Sequence, residues 1–248
     1  QQTSSRFVYC RNPIMIEGKR IGRYRKSMMT LTNTPNRCRL VLVAYPETTS
    51  IISLGNALSG GDVASVILAK GQASEKEFQS FCELAVPVIQ AAGAAAMIAE
   101  NSQIAGRAKA DGLHVTAGVK ELADAVDKLS PRLIVGTSTT GTRHDALDKG
   151  ELRPDYVFFG KLDGDTHPDA HSKNIELAQW WAAIIEIPCI VMAGYIAESV
   201  LPVANTGAEF VALSAAVFGE GRDPAKQVAL INELLDSLGD FPESDHAN

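Results

Sequence analysis

Short apolar runs alternate with polar loops and with segments whose apolar positions recur at helical spacing, from residue 39 onward. Several runs are continuously hydrophobic, as expected for parallel strands that are covered on both faces. The eight predicted strands span residues 40–44, 63–69, 94–99, 112–115, 132–136, 156–160, 189–192 and 210–213. Eight strand–helix units in succession predict an α/β fold, a single (βα)₈ TIM barrel, in preference to an open doubly wound sheet.

The helical segments carry recognisable start and stop signals. Ser74 is followed three residues later by Glu77, which predicts a capping box. Gly93 and Gly207 follow two of the segments, and glycine readily adopts the left-handed conformation that ends a helix. The predicted helices include residues 74–92, 119–129, 174–186, 196–206, a short turn at 215–218 and a closing helix at 224–238.

Charge is distributed unevenly along a chain that is 46% hydrophobic and 21% charged. Residues 1–27 carry seven basic side chains and one acidic one, although the whole chain has a net charge of −6. We therefore divide the chain into a basic, flexible extension (1–38), a barrel (39–238) and a tail (239–248). Residues 1–27 are interpreted as sequence preceding a start at Met28 or Met29, with a targeting segment or a basic arm as alternatives.

Composition also restricts partners and compartment. The acidic remainder of the chain argues against nucleic acid, because phosphate backbones select basic faces. No run of about 18 apolar residues is present, so no membrane partner is expected. The four cysteines are scattered and form no C-x-x-C pair, which favours reduced thiols and a cytoplasmic location. Trp180 and Trp181 on the sixth helix are interpreted as core or subunit-interface residues, so a homo-oligomer is left open.

Three stretches resemble the family of thiamine phosphate synthase and thiazole tautomerase. Residues 110–115 read A-D-G-L-H-V, residues 154–160 read P-D-Y-V-F-F-G, and residues 207–216 read G-A-E-F-V-A-L-S-A-A. They occur in the family's order and spacing. The resemblance implies a TIM barrel, a transferase of thiamine biosynthesis, Mg²⁺ as cofactor and a phosphorylated small molecule as ligand.

A phosphate site is predicted between strands seven and eight. Gly194 lets the backbone approach an anion, and Leu213, Ser214 and Ala215 lead into a short helix with free N–H groups. Helix N-termini carry partial positive charge and commonly bind phosphate in such barrels. Simple turn chemistry with small packed residues is the alternative interpretation.

The catalytic end departs from the pattern that the resemblance implies. On strand two, residues 66–70 correspond to the family's polar, substrate-binding Q-x-R-x-K pattern. At most Lys70 keeps it, because no Gln or Arg stands in any nearby register and Ile67 and Ala69 supply no charge. Of the carboxylates that hold Mg²⁺ in the family, at most one has a counterpart in this chain, which is Glu100. Ser138 keeps the family's substrate-binding serine, while the tautomerase histidine is missing and His144 is interpreted as a solvated helix residue.

The loop after strand six replaces the family's T-x-T-K and contains its own group of polar residues. Asp163, Asp165, His167 and His171 lie within nine residues of one another, and carboxylate plus imidazole suits Mn²⁺, Zn²⁺ or Fe²⁺. A solvated turn with incidental charges is the alternative. His114 is expected to pack within the barrel. The sequence thus predicts a diverged synthase-like protein that binds a phosphorylated thiazole- or thiamine-type small molecule and has no assignable catalytic residues. A non-catalytic phosphate binder, an enzyme with a rim metal and the ordinary synthase are the alternatives.

Overall fold

The chain forms a closed barrel of eight parallel strands in a computed structural model, which describes residues 35–139 and 141–239. Each strand pairs with its neighbours in sequence, and the last strand pairs with the first. The strands are β1 Arg39–Ala44, β2 Val63–Leu68, β3 Ala95–Ala99, β4 Gly112–Val115, β5 Ile134–Ser138, β6 Tyr156–Phe159, β7 Cys189–Met192 and β8 Phe210–Leu213. The predicted single (βα)₈ TIM barrel is confirmed.

Helices connect the strands around the outside of the barrel. Their bounds are α1 Ile51–Ser59, α2 Glu75–Ala91, α3 Ser102–Ala108, α4 Val119–Leu129, α5 Arg143–Glu151, α6 Ser172–Ile184, α7 Val200–Ala204, α8 Ala215–Phe218 and α9 Pro224–Asp236. The predicted capping box at α2 is present: the Ser74 hydroxyl accepts from the Glu77 backbone, and the Glu77 carboxylate accepts from the Ser74 backbone. Within the described ranges, no helix is long and apolar enough to cross a membrane.

Three elements differ from the prediction for identifiable reasons. Strand β5 starts two residues late, because the backbone N–H of Leu133 still donates to Leu129 at the end of α4. It continues to Ser138, where the Thr137 hydroxyl donates to the carbonyl of Val115. Helix α6 starts two residues early, since the ring of His171 accepts from the backbone of its first turn. The segment predicted as one helix at 196–206 is a 3₁₀ turn, Ala197–Ser199, followed by α7.

The barrel has two apolar layers, one between strands and helices and one inside the ring of strands. Inside, Gly136 provides space for the ring of Tyr156, because a Cβ at that glycine would overlap the phenol. The interior layer consists of Val41, Val43, Ile67, Ala69, Met97, Ala99, Tyr156, Phe158, Ile190, Met192, Phe210 and Ala212. The interior is therefore a packed core that ends at the mouth formed by the carboxyl ends of the strands.

Residues before β1 already belong to the packed barrel. Arg37 is buried, and its guanidinium donates to Asp236, to Asn232 and to the carbonyl of Cys38. Residues 1–34 of the predicted extension lie outside the described residues, as does the tail from residue 240. Three of the four cysteines are described, Cys38, Cys82 and Cys189, and all three are free and buried.

Candidate functional site

The inner wall of the barrel is apolar where β2 and β3 approach the mouth. Ile67 and Ala69 point into the interior layer, beside Met97 and Ala99 of the next strand. The resemblance implied polar side chains on this strand, and a polar side chain that faces the interior would have to stand at one of these two alternate positions. Lys70, the predicted substrate-binding lysine, follows β2 and is exposed to solvent. The strand therefore places no charge on the inner wall.

A chain of three polar side chains crosses the interior from β4 to β6. His114 is fully buried, and its ring nitrogens hydrogen-bond the hydroxyls of Tyr156 and Ser138, both at 2.8 Å. Burial, with a smaller contribution from the positive charge of Lys149, lowers the pKa of His114 to about 3. The imidazole is therefore neutral, donating through one nitrogen and accepting through the other. As expected, His114 packs within the barrel.

Ser138, the predicted substrate-binding serine, is fixed from two sides. Its hydroxyl meets His114, and its carbonyl accepts from Nζ of Lys149 at 2.6 Å. Lys149 is buried and lies 3.6 Å from the carboxylate of Asp145 on the same helix. Ser138 ends β5 on the inner face of the barrel, so a rigid hydroxyl stands beside the mouth. His144 is a surface residue of α5, with its side chain 89% exposed.

The predicted phosphate donors after β8 hold a carboxylate of the chain itself. The backbone N–H groups of Ser214 and Ala215 both donate to Oδ2 of Asp165, at 3.0 and 2.5 Å. Asp165 belongs to the loop between β6 and α6 and is only 7% exposed. Two adjacent amides thus converge on one anionic oxygen, the arrangement in which backbone donors bind oxyanions.

The same loop also covers the end of β7. A Cβ at Gly194 would overlap the carbonyl oxygen of Pro168, so glycine is required for the loop to pass this closely. The carbonyl of His167 accepts from the backbone of Tyr195 at 2.8 Å, and the N–H of Gly194 donates to the hydroxyl of Ser199 at 3.0 Å. The amide of Gly194 is therefore already used inside the β7–α7 turn.

The loop reaches into the mouth as well as across it. Leu162 packs against the interior apolar layer. Burial, followed by the nearby carboxylates of Asp163, Asp165 and Glu47, raises the pKa of Tyr45 above its ordinary value. The hydroxyl of Tyr45 is buried and has no hydrogen-bond partner among the described residues. The mouth is thus acidic along the side that the loop covers.

The residues around the mouth do not fit a divalent metal. Among residues 35–139 and 141–239, no three histidine, cysteine, aspartate or glutamate side chains are arranged to hold one. A carboxylate oxygen of Glu100 accepts from the backbone of Thr116, Asp165 is engaged by backbone amides, and the ring of His171 caps α6. Mg²⁺ demands several oxygen ligands in near-octahedral geometry. We therefore assign no metal to Glu100, Asp163, Asp165, His167 or His171.

The two tryptophans of α6 have different surroundings. Trp181 is fully buried and its indole N–H donates to the carbonyl of Ile187 at 2.6 Å. Trp180 is partly buried beneath the guanidinium of Arg143, which lies 4.9 Å from the ring centroid. Beside them, a cavity of about 260 Å³ opens between α5 and α6, lined by Gly141, Thr142, Arg143, Lys173, Glu176 and Leu177. Trp181 is thus core, as one of the two interpretations proposed.

A family model described as thiamine monophosphate synthase matches residues 40–217, which is most of the barrel. The chain belongs to that family. The thiamine-phosphate synthase of Hyphomonas neptunium is 31% identical over 220 residues, covering 85% of this chain and all of the relative. The corresponding protein of Rhodospirillum centenum is 30% identical over 203 residues, covering 80% and 98% of the two chains. Among solved structures, the thiamine phosphate pyrophosphorylase of Pyrococcus furiosus superimposes with a TM-score of 0.69 at 19% identity, covering 82% of this chain and 98% of that one.

In this member of the thiamine monophosphate synthase family, Ser138 is held by His114 and two backbone donors follow β8, whereas the inner wall at β2 is apolar. Asp165, which the sequence groups with weak metal candidates, accepts from the Ser214 and Ala215 amides through one carboxylate oxygen. The available signal was the preference of anions for free backbone donors at a helix start.

Proposed function

We propose that this chain binds a phosphorylated thiazole- or thiamine-type small molecule at the barrel mouth and forms thiamine phosphate poorly or not at all. The observation that carries the binding half is the convergence of the Ser214 and Ala215 amides on one anionic oxygen. A phosphate oxygen in the place of Asp165 Oδ2 would meet the same two donors. Charge-assisted bonds of this kind are among the stronger hydrogen bonds in proteins.

The remainder of the mouth suits an aromatic ring attached to that phosphate. Tyr45 and Leu162, which are partly buried on the interior layer, supply apolar surface at the mouth, and Ser138 supplies one fixed hydroxyl. Such a combination, mostly apolar with few placed polar groups, is typical of small-molecule sites. Lys70 at the rim offers the positive charge that a second anionic group would require.

The catalytic half of the proposal rests on the charge that the wall lacks. Departure of pyrophosphate concentrates negative charge on the leaving group, and an enzyme accelerates that step by placing positive groups or metal ions against it. Ile67 and Ala69 supply none, and the carboxylates near the mouth do not form a metal site. Each missing interaction removes about 2.7–4 kcal/mol of transition-state stabilisation by analogy with single oxyanion donors.

The second candidate function is the ordinary synthase reaction, which joins a pyrimidine pyrophosphate to a thiazole phosphate. It is favoured by the relatives named thiamine-phosphate synthase, which match at 30–31% identity over nearly their whole length. The two candidates share the phosphate-binding end and differ in turnover. A turnover assay with both substrates, at saturating Mg²⁺, separates them: a rate comparable to that of the Hyphomonas relative establishes the second candidate.

Binding is tested by the backbone amide signals of the described site. Titration with thiamine phosphate should shift the amide resonances of Ser214 and Ala215, while thiamine without phosphate should leave both in place. The amide of Cys189 is the matched control, because it also donates to a carboxylate, Glu209, but lies at the opposite end of the barrel. Unchanged Ser214 and Ala215 signals at saturating thiamine phosphate would reject the binding half.

A further inference from the structure

The loop between β6 and α6, residues 160–171, closes over the phosphate end through contacts of several kinds. Leu162 packs on the interior layer, and the carbonyls of His167 and Pro168 accept from the backbone that follows β7. Asp165 is the charged contact among them, buried although its neighbours Asp163 and Thr166 are exposed. One acidic side chain of the loop is thus selectively turned inward.

The inward carboxylate uses the donors that a phosphate would use. Oδ2 of Asp165 accepts from both Ser214 and Ala215, so each of these two backbone N–H groups already has an anionic partner. A backbone N–H has one hydrogen to donate. A phosphate oxygen and the Asp165 oxygen therefore cannot both occupy this position, and like charges this close also repel.

We propose that Asp165 is an internal competitor for the phosphate subsite, so that a phosphorylated ligand enters only as the β6–α6 loop releases Ser214 and Ala215. This rests on the proposed function, since it concerns the regulation of the same site. The free protein is then a closed state, and the apparent affinity for phosphate is reduced by the fraction of molecules in which the loop is open. Phosphate binding and loop opening are reciprocally coupled.

The test compares Asp165→Ala with Asp163→Ala in the full chain. Both variants remove one carboxylate from the same loop, but Asp163 is exposed whereas Asp165 is buried against the amides. Inorganic phosphate is titrated and the Ser214 and Ala215 amide resonances are followed. Asp165→Ala should bind phosphate about tenfold more tightly than the wild type, the equivalent of one charge-assisted hydrogen bond. Asp163→Ala should change the affinity by less than about twofold at physiological salt, because exposed charges are screened.

Loop opening is read independently by trypsin cleavage after Lys161, an exposed residue at the start of the loop. Asp165→Ala should be cleaved there faster than the wild type without any ligand, and added phosphate should accelerate cleavage of the wild type. Asp165→Asn keeps the shape of the side chain and loses its charge, so its phosphate affinity and its cleavage rate should lie between those of the wild type and Asp165→Ala. It replaces the alanine variant if that variant does not fold.

The outcomes separate the inference from the function on which it rests. Equal phosphate affinity in the wild type and Asp165→Ala, or equal cleavage after Lys161, overturns the competition while the phosphate site stands. Phosphate that shifts neither amide in any folded variant, Asp165→Ala included, overturns the proposed function and the competition with it. Tighter binding and faster cleavage confined to the Asp165 variants establish the inference.

Discussion

Acidification should unfold this barrel in part through one buried histidine. His114 has a pKa of about 3 in the folded chain against an ordinary value of 6.5, because burial disfavours its charged form. The unfolded chain therefore binds a proton between these two values that the folded chain does not. The contribution of this group is fully present above pH 6.5 and is lost as the pH falls toward 3.

The size of the effect follows from the two pKa values. Each proton bound only by the unfolded chain reduces the free energy of unfolding by about 1.4 kcal/mol per pH unit. Between pH 7.5 and pH 5, His114 alone should therefore remove about 2 kcal/mol. That is a large fraction of the ~5–15 kcal/mol by which most domains are stable.

Urea denaturation of the wild type, His114→Gln and His144→Gln at pH 7.5, 6 and 5 isolates this contribution. Glutamine can hydrogen-bond Ser138 and Tyr156 but does not titrate, so His114→Gln should show a shallower loss of stability by about 2 kcal/mol over the range. His144 is 89% exposed, so His144→Gln is the control for replacing a histidine outside the core. Parallel curves for the wild type and His114→Gln would show that His114 binds a proton in the fold as readily as in the unfolded chain.

Three further substitutions test the packing and the electrostatics of the barrel. Burial raises the pKa of Glu209, so this carboxylate destabilises the fold as the pH rises and it becomes charged. Glu209→Gln should therefore have a higher free energy of unfolding than the wild type at pH 7, measured by urea denaturation. At pH 4 this difference should disappear. Ser74→Ala removes a capping box and should cost about 1 kcal/mol by thermal denaturation. Gly136→Ala places a Cβ on the ring of Tyr156 and should cost about 1–3 kcal/mol of stability. Gly106→Ala is the control and should not destabilise, because its Cβ meets nothing within 4 Å. Equal melting temperatures for the two variants would contradict the packing argument.

Most of the barrel follows from local pattern, because each strand is a short apolar run bounded by polar turns. The helix capped by Ser74 and the strand at Gly112–Val115 appear where the sequence places them. The start of β5 was missed because apolar pattern does not reveal that Leu133 still bonds the end of α4. These boundary errors are of about two residues, which is the usual uncertainty of the end of a helix.

The mouth was less predictable because its decisive contact is long-range. Asp165 and Ser214 are 49 residues apart in the sequence. The path of the β6–α6 loop determines which group the Asp165 carboxylate contacts. The sequence predicts Ser214 and Ala215 as donors to a phosphate and Asp165 as a carboxylate at the rim. No local rule connects the two, so sequence alone offers a metal candidate or a solvated turn for this carboxylate and not a contact with the amides after β8.

Binding and turnover should respond separately to change at the mouth, since different elements control them. The Ser214 and Ala215 amides after β8 donate to Asp165, so removing that carboxylate should free two backbone donors for the proposed phosphate subsite. Removing Asp165 does not alter the inner wall at Ile67 and Ala69, which would still supply no positive charge to a departing pyrophosphate. Asp165→Ala should therefore gain phosphate affinity without gaining synthase activity. A variant that binds phosphate more tightly and also forms thiamine phosphate at an increased rate would show that the loop, rather than the apolar wall, limits the reaction.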